Sequence, residues 1–223
     1  GEWWGAELQL AHHLWEKHII AVGAEYRDDF RQEKSGSATL PASRDRQSHG
    51  VFVQGDFALL KNLHLNSGVR YDQYGDYNPS FNPRLALIYN PFEQSTIKAL
   101  YGSAFRSPNF LELSDPRFQD IKPEEITSYE LVYEQGIGRH LRSSIAGFYN
   151  QMDDLIVFED GRFDNVNAQS RGAELSLEGN WPGGLRGRVS YTLQIAEDRD
   201  SNQVFTDSPE HLFKFNLSVP VVK

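Results

Sequence analysis

Alternation with a period of two residues runs through almost the whole chain, and it restricts the possible fold more than any other feature. Between Leu63 and Asp72, the residues Leu63, Leu65, Val69 and Tyr71 fall on one side. His64, Asn66, Arg70 and Asp72 fall on the other. Successive side chains of extended backbone point to opposite faces, so such a run predicts a strand with one apolar and one polar face. Similar runs cover 6–13, 18–30, 51–59, 85–89, 97–106, 129–134, 141–150, 173–178, 188–195 and 213–219. Helical spacing is nearly absent. The reading is about eleven antiparallel strands and an all-β fold.

The breaks between runs have an order of their own. Short turns are predicted at Trp15-Glu16-Lys17, Lys61-Asn62, Asn90–Glu93, Gly136–Arg139 and Trp181–Gly184. Longer loops are predicted over Arg31–Ser48, Gly75–Asn82, Ser107–Pro123 and Glu197–Pro209, and a connection runs through Glu159–Arg162. Strict alternation of short and long connections fits an up-and-down barrel trimmed at one end and elaborated at the other. A soluble sandwich would show less regular links. Several runs also reach ten residues or more, against a usual strand of about 5–6.

Composition removes several classes. A net charge of −9 and a pI near 5.2 argue against nucleic acid, which needs basic patches. There is no cysteine, hence no disulfide and no thiolate metal site. No run of about 18 apolar residues is present, which excludes a membrane-spanning helix but not a spanning strand of about 9–11 alternating residues. Aromatics make up 13% of the residues, and tyrosines recur near strand ends (Tyr26, Tyr71, Tyr89, Tyr101, Tyr149, Tyr191), as in an interfacial girdle. The residues contain no signal peptide pattern. The chain starts without Met and stops abruptly, so it reads as a fragment.

The stretch Tyr101-Gly102-Ser103-Ala104-Phe105-Arg106-Ser107-Pro108-Asn109-Phe110-Leu111-Glu112-Leu113 resembles the strand-to-loop motif of TonB-dependent outer-membrane receptors. So, in order, do Lys122-Pro123-Glu124, Ser128–Leu131, Phe148–Ile156, Asn165-Val166, Ser170–Leu175, Ser190-Tyr191-Thr192 and Pro209-Glu210-His211. The resemblance covers roughly 81–219. It implies part of one β-barrel domain over 1–223, about half of a barrel of about 22 strands, with the plug domain outside this chain. It further implies energy-coupled uptake of a scarce large ligand such as a ferric siderophore, haem or cobalamin. The partners implied are outer-membrane lipid, an N-terminal plug, the TonB coupling protein and an iron chelate or similar ligand.

Candidate ligand contacts at the extracellular rim are Arg106, Asn109 and His49. Candidate lumen-lining residues are Glu25, Asp56, Arg70, Glu130, Glu174 and Arg188, all on polar faces. Tyr101 and Phe105 are expected to face lipid and Arg106 the lumen. Asp198, Asp200 and Asn202 have a calcium-like spacing but lack the Gly and Glu of an EF-hand, so an ordinary acidic loop is expected. The scattered histidines show no supporting partner, and no catalytic or cofactor motif is present. A passive porin-like channel and a soluble β-sandwich binding module remain as alternatives.

Overall fold

The computed structural model describes residues 2–15, 17–31, 45–75, 77–113, 121–159 and 161–221. Its strands are β1 (Glu2–Leu14), β2 (His18–Arg31), β3 (Arg46–Leu60), β4 (Leu63–Tyr74), β5 (Ser80–Phe92) and β6 (Ser95–Arg106). A one-turn helix α1 (Phe110–Leu113) follows. Then come β7 (Glu124–Ile137), β8 (Leu141–Glu159), β9 (Arg162–Asn180), β10 (Arg186–Asp198) and β11 (His211–Ser218). All eleven strands form one antiparallel sheet in sequence order. Among the described residues, β1 and β11 each pair with a single neighbour. The all-β, up-and-down expectation holds.

The register carries the two-residue period across the whole sheet. Gln54, Gly68, Arg84, Gly102, Ser128, Asn150, Ser170 and Ala196 form one continuous cross-strand row of the polar face. Val53, Val69 and Pro83 share a row of the opposite face, as do Leu85, Tyr101, Tyr129 and Tyr149. Aromatic rings meet along the apolar face. Tyr101–Tyr129 and Tyr129–Tyr149 centroids are 5.2 and 6.3 Å apart, and Trp4–Tyr26 and Tyr71–Phe81 are 5.2 and 5.0 Å apart.

Among the described residues, no second layer covers the sheet. Among the described residues, every pair of elements in substantial contact is a pair of adjacent strands. Among the described residues, the buried apolar side chains are Ala21, Pro108, Ile121, Val132 and Ala168, whereas Leu8, Leu131, Phe213 and Phe215 are each 60–65% exposed. A water-soluble chain of this length would bury a core, and a sheet with one bare apolar face would aggregate. The soluble-sandwich reading is therefore corrected. An antiparallel ladder satisfies the backbone polar groups internally, which is what a lipid-facing wall requires.

Other corrections are local. The long–short alternation is not strict. β8 runs to Glu159 and β9 starts at Arg162, so the connection expected through Glu159–Arg162 is two residues long where strict alternation puts a long loop. The apolar run Leu155–Phe158 pairs with Phe163–Val166 after a bulge between Met152 and Leu155, and the bulge hides the alternation. β3 starts at Arg46 and β5 at Ser80, inside their predicted loops, and β5 runs on to Phe92, into the predicted turn. Much of the predicted loops 31–48 and 107–123 lies outside the described residues. Within the latter, Phe110–Leu113 is helical.

Phe105 also departs from expectation. The β5–β6 ladder ends at Arg84–Gly102. Beyond it Ser80–Pro83 pair only with β4, and Ser103–Arg106 only with β7. Pro83 sits at this split and has no amide hydrogen to donate. Phe105 turns into the gap, its ring 6.4 Å from that of Tyr74, instead of continuing the apolar face of Tyr101.

Candidate functional site

The polar face is a set of charge clusters. All six residues expected there, Glu25, Asp56, Arg70, Glu130, Glu174 and Arg188, fall in register on that face. In the first cluster Arg70 donates through Nε to both Asp72 carboxylate oxygens (2.8 and 2.9 Å) and through Nη2 to Glu25 (2.9 Å). That reach crosses β3 at Gly50, which pairs with Glu25 and Asp72. A Cβ on Gly50 would lie 2.5 Å from the Arg70 and Asp72 side chains, so glycine there makes the bridge possible.

The second cluster spans β6 to β10. Lys98 donates to Glu134 at 2.6 Å. Arg188 lies 3.2 Å from Glu178 and 3.7 Å from Glu174, and Arg142 lies 3.7 Å from Glu134. These groups surround a cavity of about 390 Å3 that Glu130 and Phe148 also line. Glu130 and Asp56 have no ion pair among the described residues. Exposed pairs of this kind contribute little stability. Together they make this face of the sheet charged and polar.

The third cluster sits at the loop end of β6. Arg106 donates to Glu124 through Nε and Nη2 (2.5 and 2.8 Å) and to Glu112 through Nη1 and Nη2 (3.0 and 3.1 Å). Glu124 also accepts the Ile156 amide at 2.8 Å. Glu112 is buried, and it accepts the Asn109 amide (2.7 Å) while its own amide donates to Asn109 Oδ1 (3.0 Å). That reciprocal pair is a capping box on α1. Arg46 stacks on Tyr74 and donates to the carbonyl of the fully buried Pro108 (2.7 Å). Arg106 and Asn109 thus frame the base of the loop.

The motif pieces, far apart in sequence, meet here. Asn165 accepts the Lys122 amide at 2.9 Å and donates to the carbonyls of Lys122 (3.2 Å) and Asp154 (2.6 Å). Asn167 accepts the amide of Asp154, a residue at φ 54°, and donates to Asp200. The open backbone groups of the β8 bulge are thereby satisfied. Sequence reasoning missed Glu112, Glu124, Asn165 and Asn167. The spacing Asn109-x-x-Glu112 was a usable signal for the first.

His49 lies elsewhere. It is in β3, in register with Tyr26 and Gln73 on the apolar face, the face opposite to that of Arg106. At the loop end of β10, clear of the apolar face, Asp198 accepts hydrogen bonds from the Ser201 amide and hydroxyl and the Asp200 amide. These bonds, the Ser201 amide foremost, hold its carboxyl below the usual range. The calcium-like spacing is thus a turn, and no cluster of three or more metal-binding side chains occurs among the described residues.

A wall with one bare apolar face, one charged face and a clasped loop base matches known proteins. The family model described as TonB dependent receptor-like, beta-barrel, covers residues 1–220. The chain belongs to this family. It is 26% identical over 216 residues to the vitamin B12 transporter BtuB of Vibrio cholerae serotype O1, covering 94% of this chain and 34% of the transporter. It is 24% identical over 235 residues to the iron-regulated outer membrane virulence protein of Vibrio cholerae, covering 91% and 36%. The fold superposes on the ferric enterobactin receptor PfeA of Pseudomonas aeruginosa with a TM-score of 0.79 at 17% identity, covering 98% of this chain and 39% of that one. The siderophore receptor PirA gives 0.73 at 20%, covering 87% and 40%. The chain spans about a third of the length of the curated relatives it matches.

Proposed function

We propose that the protein carrying this segment is an outer-membrane receptor of a Gram-negative bacterium, taking up a scarce large ligand such as a ferric siderophore, haem or cobalamin. The observation that carries the reading is the match to the receptor barrel family across 1–220, joined to a sheet that is apolar on one face and charged on the other. Relatives named for vitamin B12 and for siderophores support this ligand range. The apolar face contacts lipid, and the polar face lines the lumen of a barrel of about 22 strands. Uptake is driven by the TonB coupling protein through a plug that the lumen holds. Ligand is captured at the loops, and plug rearrangement lets it pass along the wall of Glu25, Asp56, Arg70, Glu130, Glu174 and Arg188. His49 takes no part, because it lies on the lipid side of the wall.

Gene deletion tests this reading, with growth scored on limiting ferric siderophores, haem or cobalamin as single sources. One source should no longer support growth, and the complete gene should restore it only while the inner membrane is energised. Unchanged growth on every source, or uptake that persists without energisation, contradicts the reading. The second outcome would indicate a passive channel.

A further inference from the structure

The gap where β5 and β6 part opens on a cavity of about 650 Å3, within the size range of small-molecule sites. The rings of Phe52, Tyr74 and Phe105 line it, as do three arginines. Two of those cations are committed: Arg70 to Asp72 and Glu25, Arg106 to Glu112 and Glu124. The third, Arg84, is exposed and has no hydrogen bond or ion pair among the described residues. In the register it lies between two glycines, Gly68 and Gly102. A Cβ at Gly68 would stand 3.3 Å from Arg84 Nε and 3.0 Å from Gln54 Cβ, so a side chain there would crowd the guanidinium. The bare backbone leaves Arg84 room to turn toward the gap.

Two further groups face the same cavity without partners. The Ser103 and Ser107 hydroxyl oxygens are shielded from solvent and make no hydrogen bond among the described residues. Such groups are rare in folded proteins. A free guanidinium presents a planar fork that matches a carboxylate in a bidentate pair, and aromatic walls suit an aromatic ring.

We propose that Arg84 is the anchoring residue of a binding site for an aromatic ligand bearing one anionic group of the carboxylate kind, with the Ser103 and Ser107 hydroxyls turning toward the ligand as neighbouring donors. The proposal rests on the receptor reading above and names a ligand chemistry for it. The site takes one such group because, among the described residues, the cavity offers one uncommitted cation.

The test uses the full-length protein in detergent, with benzoate as the probe and benzamide as its neutral counterpart, both followed by ligand-observed NMR titration. Arg84→Gln should weaken benzoate binding by about tenfold or more, the usual scale for a lost charge-assisted hydrogen bond. Benzamide binding should stay unchanged, which also shows the variant's cavity to be intact. Arg186→Gln removes another unpaired arginine of the polar face and should leave benzoate binding as it was. The proposal is overturned if wild type fails to bind benzoate or if Arg84→Gln binds it normally. It is also overturned if benzoate and benzamide weaken together, or if Arg186→Gln weakens benzoate equally. None of these results touches the uptake phenotype, so the receptor reading stands or falls separately.

Discussion

Leu131→Arg in the full-length protein, folded in lipid vesicles, should lower the unfolding free energy by about 2–4 kcal/mol. Leu131 is 60% exposed and sits on the apolar face, in register with Ala99 on one side and Gly147 on the other. No neighbouring acid is there to receive the new charge. On a water-soluble surface the same exposure would make the substitution nearly neutral, within about ±0.5 kcal/mol. The two environments therefore predict different numbers for one residue. Glu130→Arg, one position away on the polar face, serves as the comparison and should stay within about 0.5 kcal/mol. Urea titration with an electrophoretic readout of the folded fraction measures both. Equal, small effects at the two positions would remove the lipid-facing assignment.

Arg106→Ala should release α1 and the β8 bulge together. The substitution leaves Glu112, whose side chain is 9% exposed, and Glu124 without their shared cation. An unpaired buried carboxylate is costly, but Arg106 itself is 44% exposed, which reduces the expected loss to about 1–3 kcal/mol. The loss is local, so it appears in hydrogen exchange before it appears in global unfolding. The amides of Asn109, Glu112 and Ile156 should exchange roughly ten- to hundredfold faster, while those of the β3–β4 ladder keep their rate. Arg106→Lys should rescue only part of this, because an ammonium lacks the planar fork that spans two carboxylates. Unchanged exchange at Ile156 would show that the clasp does not couple the loop base to β8.

These two sites differ in how far the sequence announces them. The face of Leu131 is legible because alternation is exact over long strands: Tyr129, Leu131 and Tyr133 against Glu130 and Glu134 leave no other register. The six polar-face residues follow from the same logic, and so does His49, which shares the phase of Val51 and Val53. The clasp is another matter. Arg106, Glu112, Glu124 and Ile156 come from four segments, and only the fold brings them together. A single helical turn gives no periodicity to detect. The extension of β8 past Asp154 is masked by its bulge, which shifts the phase of the alternation. The position of Phe105 is not legible in the sequence, because its face depends on where β5 stops pairing with β6, and nothing within 97–106 marks that point.

The central claim is that successive residues of one strand meet lipid and lumen in turn. The segment contains no cysteine, so once any cysteine outside it is replaced, single cysteines can be placed through Ser128–Glu134 of β7 and spin-labelled in the full-length protein in vesicles. The ratio of collision with oxygen to collision with a water-soluble nickel complex should rise and fall every second residue. It should be highest at Tyr129, Leu131 and Tyr133 and lowest at Ser128, Glu130 and Glu134. A flat profile, or maxima at the even positions, would contradict the account.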